Sequence, residues 1–323
     1  MSHFFSMKRI SSVVLFCFFT LLLMCQNNIQ LNNFWDNTNY INPASINTLY
    51  YHELSMAARQ MWAGISGTPT TGFASGTIYV DDMRSQFGLK LVSDHFNFAY
   101  KNEVTGTYAY SLKISRKSRL NFGLGFSYEM IAYDISKVRP SDNSDNILYD
   151  KIKNVGNINS DFGLEYTNSR LKVGLSSQHL FGAASAMDNV FGNTTSFLYA
   201  NYKDEFRDYV NFTYGFCIVD NYFRATNLNF VNLQINFGSY FKQSPTAKIF
   251  QLGAYYRSPL LYNSLSGIGD IGSIFGIELS PNFFLAYSVD VNLSHIINNT
   301  LGTQEIMLTY KMKPHRKCRT CPD

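Results

Sequence analysis

The stretch Val231-Asn232-Leu233-Gln234-Ile235-Asn236-Phe237-Gly238 decides the fold. Large apolar side chains alternate with Asn, Gln or Gly, and a period of two places all the apolar ones on one face of a β-strand. The pattern recurs. Leu120, Phe122, Leu124, Phe126 and Tyr128 alternate with Asn121, Gly123, Gly125, Ser127 and Glu129. Val210, Phe212, Tyr214, Phe216 and Ile218 do the same, as do Phe283, Leu285, Tyr287, Val289, Val291 and Leu293. Strand candidates fall at 50–62, 71–80, 85–93, 103–115, 118–133, 158–167, 170–180, 195–203, 207–219, 225–240, 247–257, 271–280, 283–295 and 302–312.

A soluble β-sandwich or secreted barrel has the same period. Two features separate this chain from them. The strands exceed the usual five or six residues of globular sheets, and most reach the roughly 9–11 that a tilted strand needs to cross a bilayer. The polar faces are built of Asn, Ser, Gly and Thr and carry few charges for a surface facing water. An open sheet in lipid would leave edge N–H and C=O groups unpaired at several kcal/mol each, so the sheet has to close. The prediction is an all-β fold: a transmembrane antiparallel β-barrel of about 14 strands over residues 50–312, in the bacterial outer membrane.

Composition agrees. Of 323 residues only 15% are charged, against about 25% on average, while 22 Tyr and 27 Phe supply the aromatic girdles a barrel needs at its two interfaces. The net charge of +4 is too small to suggest a nucleic-acid partner. At the N-terminus, Lys8 and Arg9 precede an apolar run from Ile10 to Met24, and polar Gln26, Asn27 and Asn28 follow. The run falls short of the roughly 20 apolar residues of a spanning helix and reads as an export signal, residues 1–25. Met7 is an alternative start. Leu22-Leu23-Met24-Cys25 resembles a lipoprotein signal, but the residue before a lipidated Cys is normally small and Met24 is not. Residues 26–49 are expected to be an irregular segment, with Leu31 to Thr48 in the lumen or at the periplasmic rim, and 313–323 a basic periplasmic tail.

Connection lengths give the barrel a direction. With the N-terminus in the periplasm, connections after even strands should be short, and they include Asp81 to Arg84, Arg116-Lys117, Asn168-Ser169 and Pro281-Asn282. Those after odd strands should be longer and extracellular: Ala63 to Thr70, Ser93 to Asn102, Asp134 to Asn157 and Phe181 to Thr194. A short turn expected near Asp220 to Phe223 breaks the rule.

Chemistry is sparse. Lys113, Glu129, Glu165, Lys172, Glu278, Asp290 and Lys311 fall on the inward phase; their mixed signs favour pairing within the lumen over a selective ring. Ser176, Ser177, Gln178 and His179 contain the residue types of an outer-membrane lipase, but no distinctive nucleophile sequence surrounds either Ser. His315, Cys318 and Cys321 form a weak metal or disulfide candidate within a basic tail, where Lys313, Arg316, Lys317 and Arg319 could contact an acidic partner. Neither a phosphate-binding Gly loop nor a cofactor signature occurs, so no cofactor is expected. Gly64, Gly67 and Pro69 suit a tight connection after the first strand, and Arg59 and Trp62 are expected to anchor that strand at the membrane interface.

Several segments resemble one family. Asn42-Pro43-Ala44, then Arg59-Gln60-Met61-Trp62 and Gly64-Ile65-Ser66-Gly67-Thr68-Pro69, are similar to the N-terminal signature of the PorP/SprF family of Bacteroidetes. Thr107 to Tyr110, Asp161 to Leu164, Leu171 to Ser176 and Gln304 to Tyr310 match its strands, so the resemblance spans essentially the whole mature chain. Ser45 departs from the Tyr the family often has after Asn-Pro-Ala, and the Cys-containing tail is not part of its pattern. The resemblance implies a non-enzymatic outer-membrane component of the type IX secretion system, without catalytic residues. Its implied partners are outer-membrane lipids, an OmpA-like periplasmic lipoprotein, and a secreted adhesin or other surface cargo, as in gliding motility. The alternative is a passive or solute-selective porin.

Overall fold

A computed structural model describes residues 31–47, 52–97, 99–134, 155–181, 193–207, 210–223, 228–242, 249–261 and 269–312. Fourteen strands form one closed antiparallel barrel. They are β1 (His52–Gln60), β2 (Thr70–Val80), β3 (Ser85–Phe96), β4 (Ala99–Lys113), β5 (Arg119–Tyr133), β6 (Val155–Thr167) and β7 (Leu171–Gln178), then β8 (Asn193–Arg207), β9 (Val210–Phe223), β10 (Leu228–Lys242), β11 (Ile249–Leu261), β12 (Asp270–Ser280), β13 (Phe283–Asn292) and β14 (Thr303–Met312). Each strand pairs with its sequence neighbours, and β1 closes on β14 from His52↔Met312 to Gln60↔Gln304. Closure leaves no open sheet edge, the condition lipid imposes.

The predicted alternation sets which face looks outward. In β5, Phe122, Leu124, Phe126 and Tyr128 are exposed, with Phe126 reaching 65%, while Asn121 and Ser127 are buried in the interior. In β10, Ile235 and Phe237 point out and Gln234 points in. An apolar outside around a largely polar inside inverts a soluble barrel and matches a membrane-spanning one.

Two connections differ from expectation. Residues 93–102 are not a long loop: β3 runs to Phe96, β4 starts at Ala99, and the ladder continues to Phe96↔Ala99. Asp220 to Phe223 is strand, not turn, and pairs with β10 up to Phe223↔Leu228. In both places the apolar alternation fades while the ladder continues, because backbone pairing does not depend on side-chain polarity. The long polar connection containing Arg139 to Asp145 lies outside the described residues.

Connections at one end, after even strands, include Asp81–Arg84, 114–118, 168–170 and 281–282. At the other end, 61–69 and 293–302 sit side by side across the closing seam. Ala63 N donates to Gly302 O at 2.8 Å and Leu301 N to Ala63 O at 2.8 Å.

Candidate functional site

The lumen is occupied by the chain's own N-terminal segment. Leu31, Asn32, Asn33, Phe34, Tyr40, Ile41, Asn42 and Ala44 are all buried inside the barrel. This segment has little regular structure, one 3-10 turn at Thr38–Tyr40, so its backbone groups need partners on the wall. Backbone and side-chain groups of the segment find partners at both ends of the lumen. Near the odd-connection end, the Glu305 carboxylate accepts from Asn32 N at 2.7 Å and Asn33 N at 3.0 Å. Asn32 Nδ2 donates to Asp290 at 2.8 Å, and Arg257 donates to Asn32 Oδ1 at 3.1 Å. Near the even-connection end, Asp36 accepts from Tyr240 at 2.7 Å and from Gln251 at 3.1 Å. The return leg is held by Gln178, which donates to Tyr40 O at 2.8 Å, by Ser176, which donates to Ile41 O at 2.6 Å, and by Gln86, which donates to Ser45 O at 2.9 Å.

The Asn42-Pro43-Ala44 stretch rests on a pair of glycines. Gly123 of β5 faces Gly163 of β6 in the ladder. A Cβ at Gly123 would overlap Ala44 N and Pro43 C, and one at Gly163 would overlap Asn42 Oδ1. The missing side chains are what let the segment approach the wall. Asn42 then bridges, donating to Leu164 O at 3.0 Å and Tyr199 Oη at 3.1 Å while accepting from Ala44 N at 2.8 Å. Tyr199 donates onward to Glu165 at 2.5 Å.

Apolar contacts complete the plug. Leu31, Phe34, Trp35, Tyr40 and Ile41 pack against Phe73, Val92, Phe197, Val219 and Met307, which sit on the inward phase of their strands. Burial pushes the Tyr40 phenol well above its usual range, so it stays neutral. The sequence pattern offers the lumen as one of two places for this segment, but it does not identify the wall residues that hold it. The available signal was large apolar residues on otherwise polar inward faces, together with glycines in phase on two adjacent strands.

The inward charges are largely paired. Lys101 lies 3.2 Å from Glu129, Lys172 lies 4.0 Å from Glu165, and Lys311 lies 3.9 Å from Glu53. Asp290 is held by Asn32 and Tyr255, and Glu278 accepts from Ile249 N at 3.1 Å. Lys113 departs from expectation: it lies on the inward phase but past the lumen, exposed at the rim. A further network joins Glu103 to Lys90 at 3.4 Å and to His179 at 3.0 Å. Glu103, Glu129 and His179 have ligand atoms within 4.8 Å of one another, but Lys90 and Lys101 already neutralise the two carboxylates.

The Ser/His candidate does not assemble as a nucleophile pair. Ser176 is committed to Ile41 O, Ser177 shares a hydrogen bond with Ser196, and His179 faces Glu103. Arg59 is not at the lipid interface. It shares the inward phase of β1 with Glu53, Ser55 and Ala57, is 4% exposed, and stands across the seam from Glu305. Gln60 points outward. Trp62, Gly64 and Gly67 turn the β1–β2 connection with positive φ, and Pro69 O accepts from Met61 N at 2.9 Å. The tail residues Lys313, His315, Arg316, Lys317, Cys318, Arg319 and Cys321, and the N-terminal signal region, lie outside the described residues.

At the even-connection end the lumen opens into a cavity of about 430 Å³. Asp36 of the plug, the Asn168–Lys172 turn, Asn201, Lys203, Tyr240 and Phe241 line it.

Comparison with solved structures returns outer-membrane barrels. The CymD monoaromatic hydrocarbon channel aligns with a TM-score of 0.50 at 13% identity, covering 85% of this chain and 92% of that one. The Ralstonia pickettii toluene transporter TbuX aligns with a TM-score of 0.48 at 10% identity, over 85% and 92%. The Acinetobacter baumannii outer membrane protein Omp33 gives 0.44 at 12%, over 82% and 98%. At these identities the likeness is one of fold. No curated protein matches the chain. Residues 24–310 match the family described as type IX secretion system membrane protein PorP/SprF. An apolar-coated closed barrel whose family match covers nearly its whole length therefore has its place: the chain is an outer-membrane protein and belongs to the PorP/SprF family of type IX secretion system membrane proteins.

Proposed function

We propose that this protein is a non-enzymatic docking component of type IX secretion, a filled barrel that holds a secreted surface protein of adhesin type on one side of the outer membrane and meets an OmpA-like periplasmic lipoprotein on the other. The observation that carries this reading is the occupied lumen. A segment tied to the wall at both ends of the lumen, by buried hydrogen bonds at one end and part-buried ones at the other, favours a rigid platform over a conduit for solutes. In this reading the odd connections face outward and hold cargo, with the Met61–Pro69 connection and the 293–302 connection braced together as one surface. The even connections and the basic tail residues Lys313, Arg316, Lys317 and Arg319 face the periplasm.

Affinity capture of the tagged full-length chain in mild detergent tests this. Co-purification of an OmpA-like lipoprotein or a large secreted adhesin is expected. Recovery of neither, together with normal secretion in a deletion strain, would sink the proposal. A stable open conductance of the intact protein in planar bilayers would instead establish the porin.

A further inference from the structure

The even-connection rim carries a basic arc of which the fold uses little, a hydrogen bond from Arg119 to Tyr79 Oη at 3.4 Å. Lys113 and Arg119 stand directly opposite each other in the β4–β5 ladder, and like charges in that position are destabilising. Arg116 and Lys117 extend the same sign to the tip of the connection. The next turn round the barrel adds Arg170, and Tyr166 Oη, donating to Ser118 Oγ at 3.2 Å, links the two turns. Among the described residues, none of Lys113, Arg116, Lys117, Arg119 and Arg170 pairs with an acidic group. A concentration of unpaired positive charge that costs stability points to a partner that neutralises it.

The arc leads into the cavity of about 430 Å³ at the lumen mouth, a volume typical of ligand sites. Arg170, Lys172 and Lys203 converge on it. The one carboxylate contributed by the plug, Asp36, already accepts from Tyr240 and Gln251. Among the described residues, Lys203 pairs with the exposed Glu205 at 3.6 Å, a pair that solvent screens and that yields readily to a competitor. The cavity is lined by Asp36 of the plug and by Lys172, Asn201 and Lys203 on the inward phase of β7 and β8, so it opens at the lumen mouth, where a segment of a periplasmic chain can enter it.

We propose that the rim between β4 and β8 is a docking surface for an acidic peptide segment of a periplasmic protein, whose Asp or Glu carboxylates enter the cavity between Arg170 and Lys203. This deepens the proposed periplasmic contact and rests on that reading for its orientation.

The test uses the full-length chain in detergent and a fluorescein-labelled peptide of alternating Glu and Gly, followed by anisotropy. Saturable binding is expected, weakening as salt rises. The Arg170→Glu/Lys203→Glu protein should bind at least tenfold more weakly, and the Arg116→Glu/Lys117→Glu protein should also lose affinity. Heat-modifiable migration on gels reports that each barrel is folded, and Arg170→Gln/Lys203→Gln serves if the reversal does not fold. Unchanged binding by the folded cavity variant overturns the assignment. So does displacement of the peptide by phosphatidylglycerol nanodiscs, which would make the arc a lipid contact, or by soluble muropeptides, which would make it a cell-wall contact. In affinity capture, a variant that retains the periplasmic component removes this site but leaves the docking reading standing, whereas a parent protein that captures none removes the docking reading itself.

Discussion

Gly123→Ala should loosen the plug while leaving the barrel intact. Gly123 has no positive φ, so alanine suits the strand itself and removes a glycine's excess chain entropy. The new methyl would overlap Ala44 N and Pro43 C, which are backbone atoms that cannot rotate away. Residues 42–44 must therefore leave the wall. That breaks the hydrogen bonds from Asn42 to Leu164 O and to Tyr199, while the bond from Ala44 N to Asn42 moves with the segment. At about 1 kcal/mol net for each wall bond, the loss is about 2 kcal/mol, or roughly thirtyfold in the balance between seated and released segment. Amide hydrogen exchange in detergent reads this directly: protection around Ala44 should fall by that factor while the β9–β10 ladder keeps its own. Gly106→Ala is the control, since a Cβ there meets nothing within 4 Å. If the Gly123→Ala protein retains parental protection at residues 42–45, the glycine pair is not the seat of the segment and the reasoning fails.

Deletion of residues 31–47 should leave a barrel that still shows heat-modifiable migration but conducts in planar bilayers; a silent deletion variant would mean that something else closes the lumen. Glu305→Ala removes the acceptor for Asn32 N and Asn33 N and leaves two buried donors unpaired, at about 1–3 kcal/mol each. Limited proteolysis should then cut near residue 33 much faster than in the parent. Phe126→Lys places a charge on the outward face of β5, and equilibrium unfolding in vesicles should show a loss of about 2–4 kcal/mol if that position lies near the bilayer midplane. A neutral result would move the membrane band away from Phe126. Ser176→Ala should loosen the Ile41 turn without changing any phospholipid hydrolysis, measured with a fluorogenic phospholipid.

The strands were legible because alternation is local. Whether Ile235 faces lipid and Gln234 faces the interior follows from the parity of adjacent residues, and a closed even barrel follows from the cost of unpaired backbone in lipid. The ladders of β3, β4 and β9 outran the prediction because hydrogen bonding continued where the apolar pattern had stopped. Arg59 was misplaced for a different reason. A cationic side chain next to an aromatic one suggests an interface, but its position in the β1 alternation turns it inward toward Glu305.

The site was far less legible. The Asn42-Pro43-Ala44 stretch was visible as a motif, but its seat is a glycine pair on β5 and β6, and Asn42 reaches Leu164 across 122 residues of sequence. Asn32 and Glu305 lie 273 residues apart. An irregular segment carries no periodicity, and its partners come from every side of the barrel at once. The sequence by itself determined a membrane barrel with an apolar outside, because one residue's neighbours decide its face. Only the tertiary structure decided that the inside is filled, because that depends on closing the cylinder around a segment that satisfies its backbone on the wall.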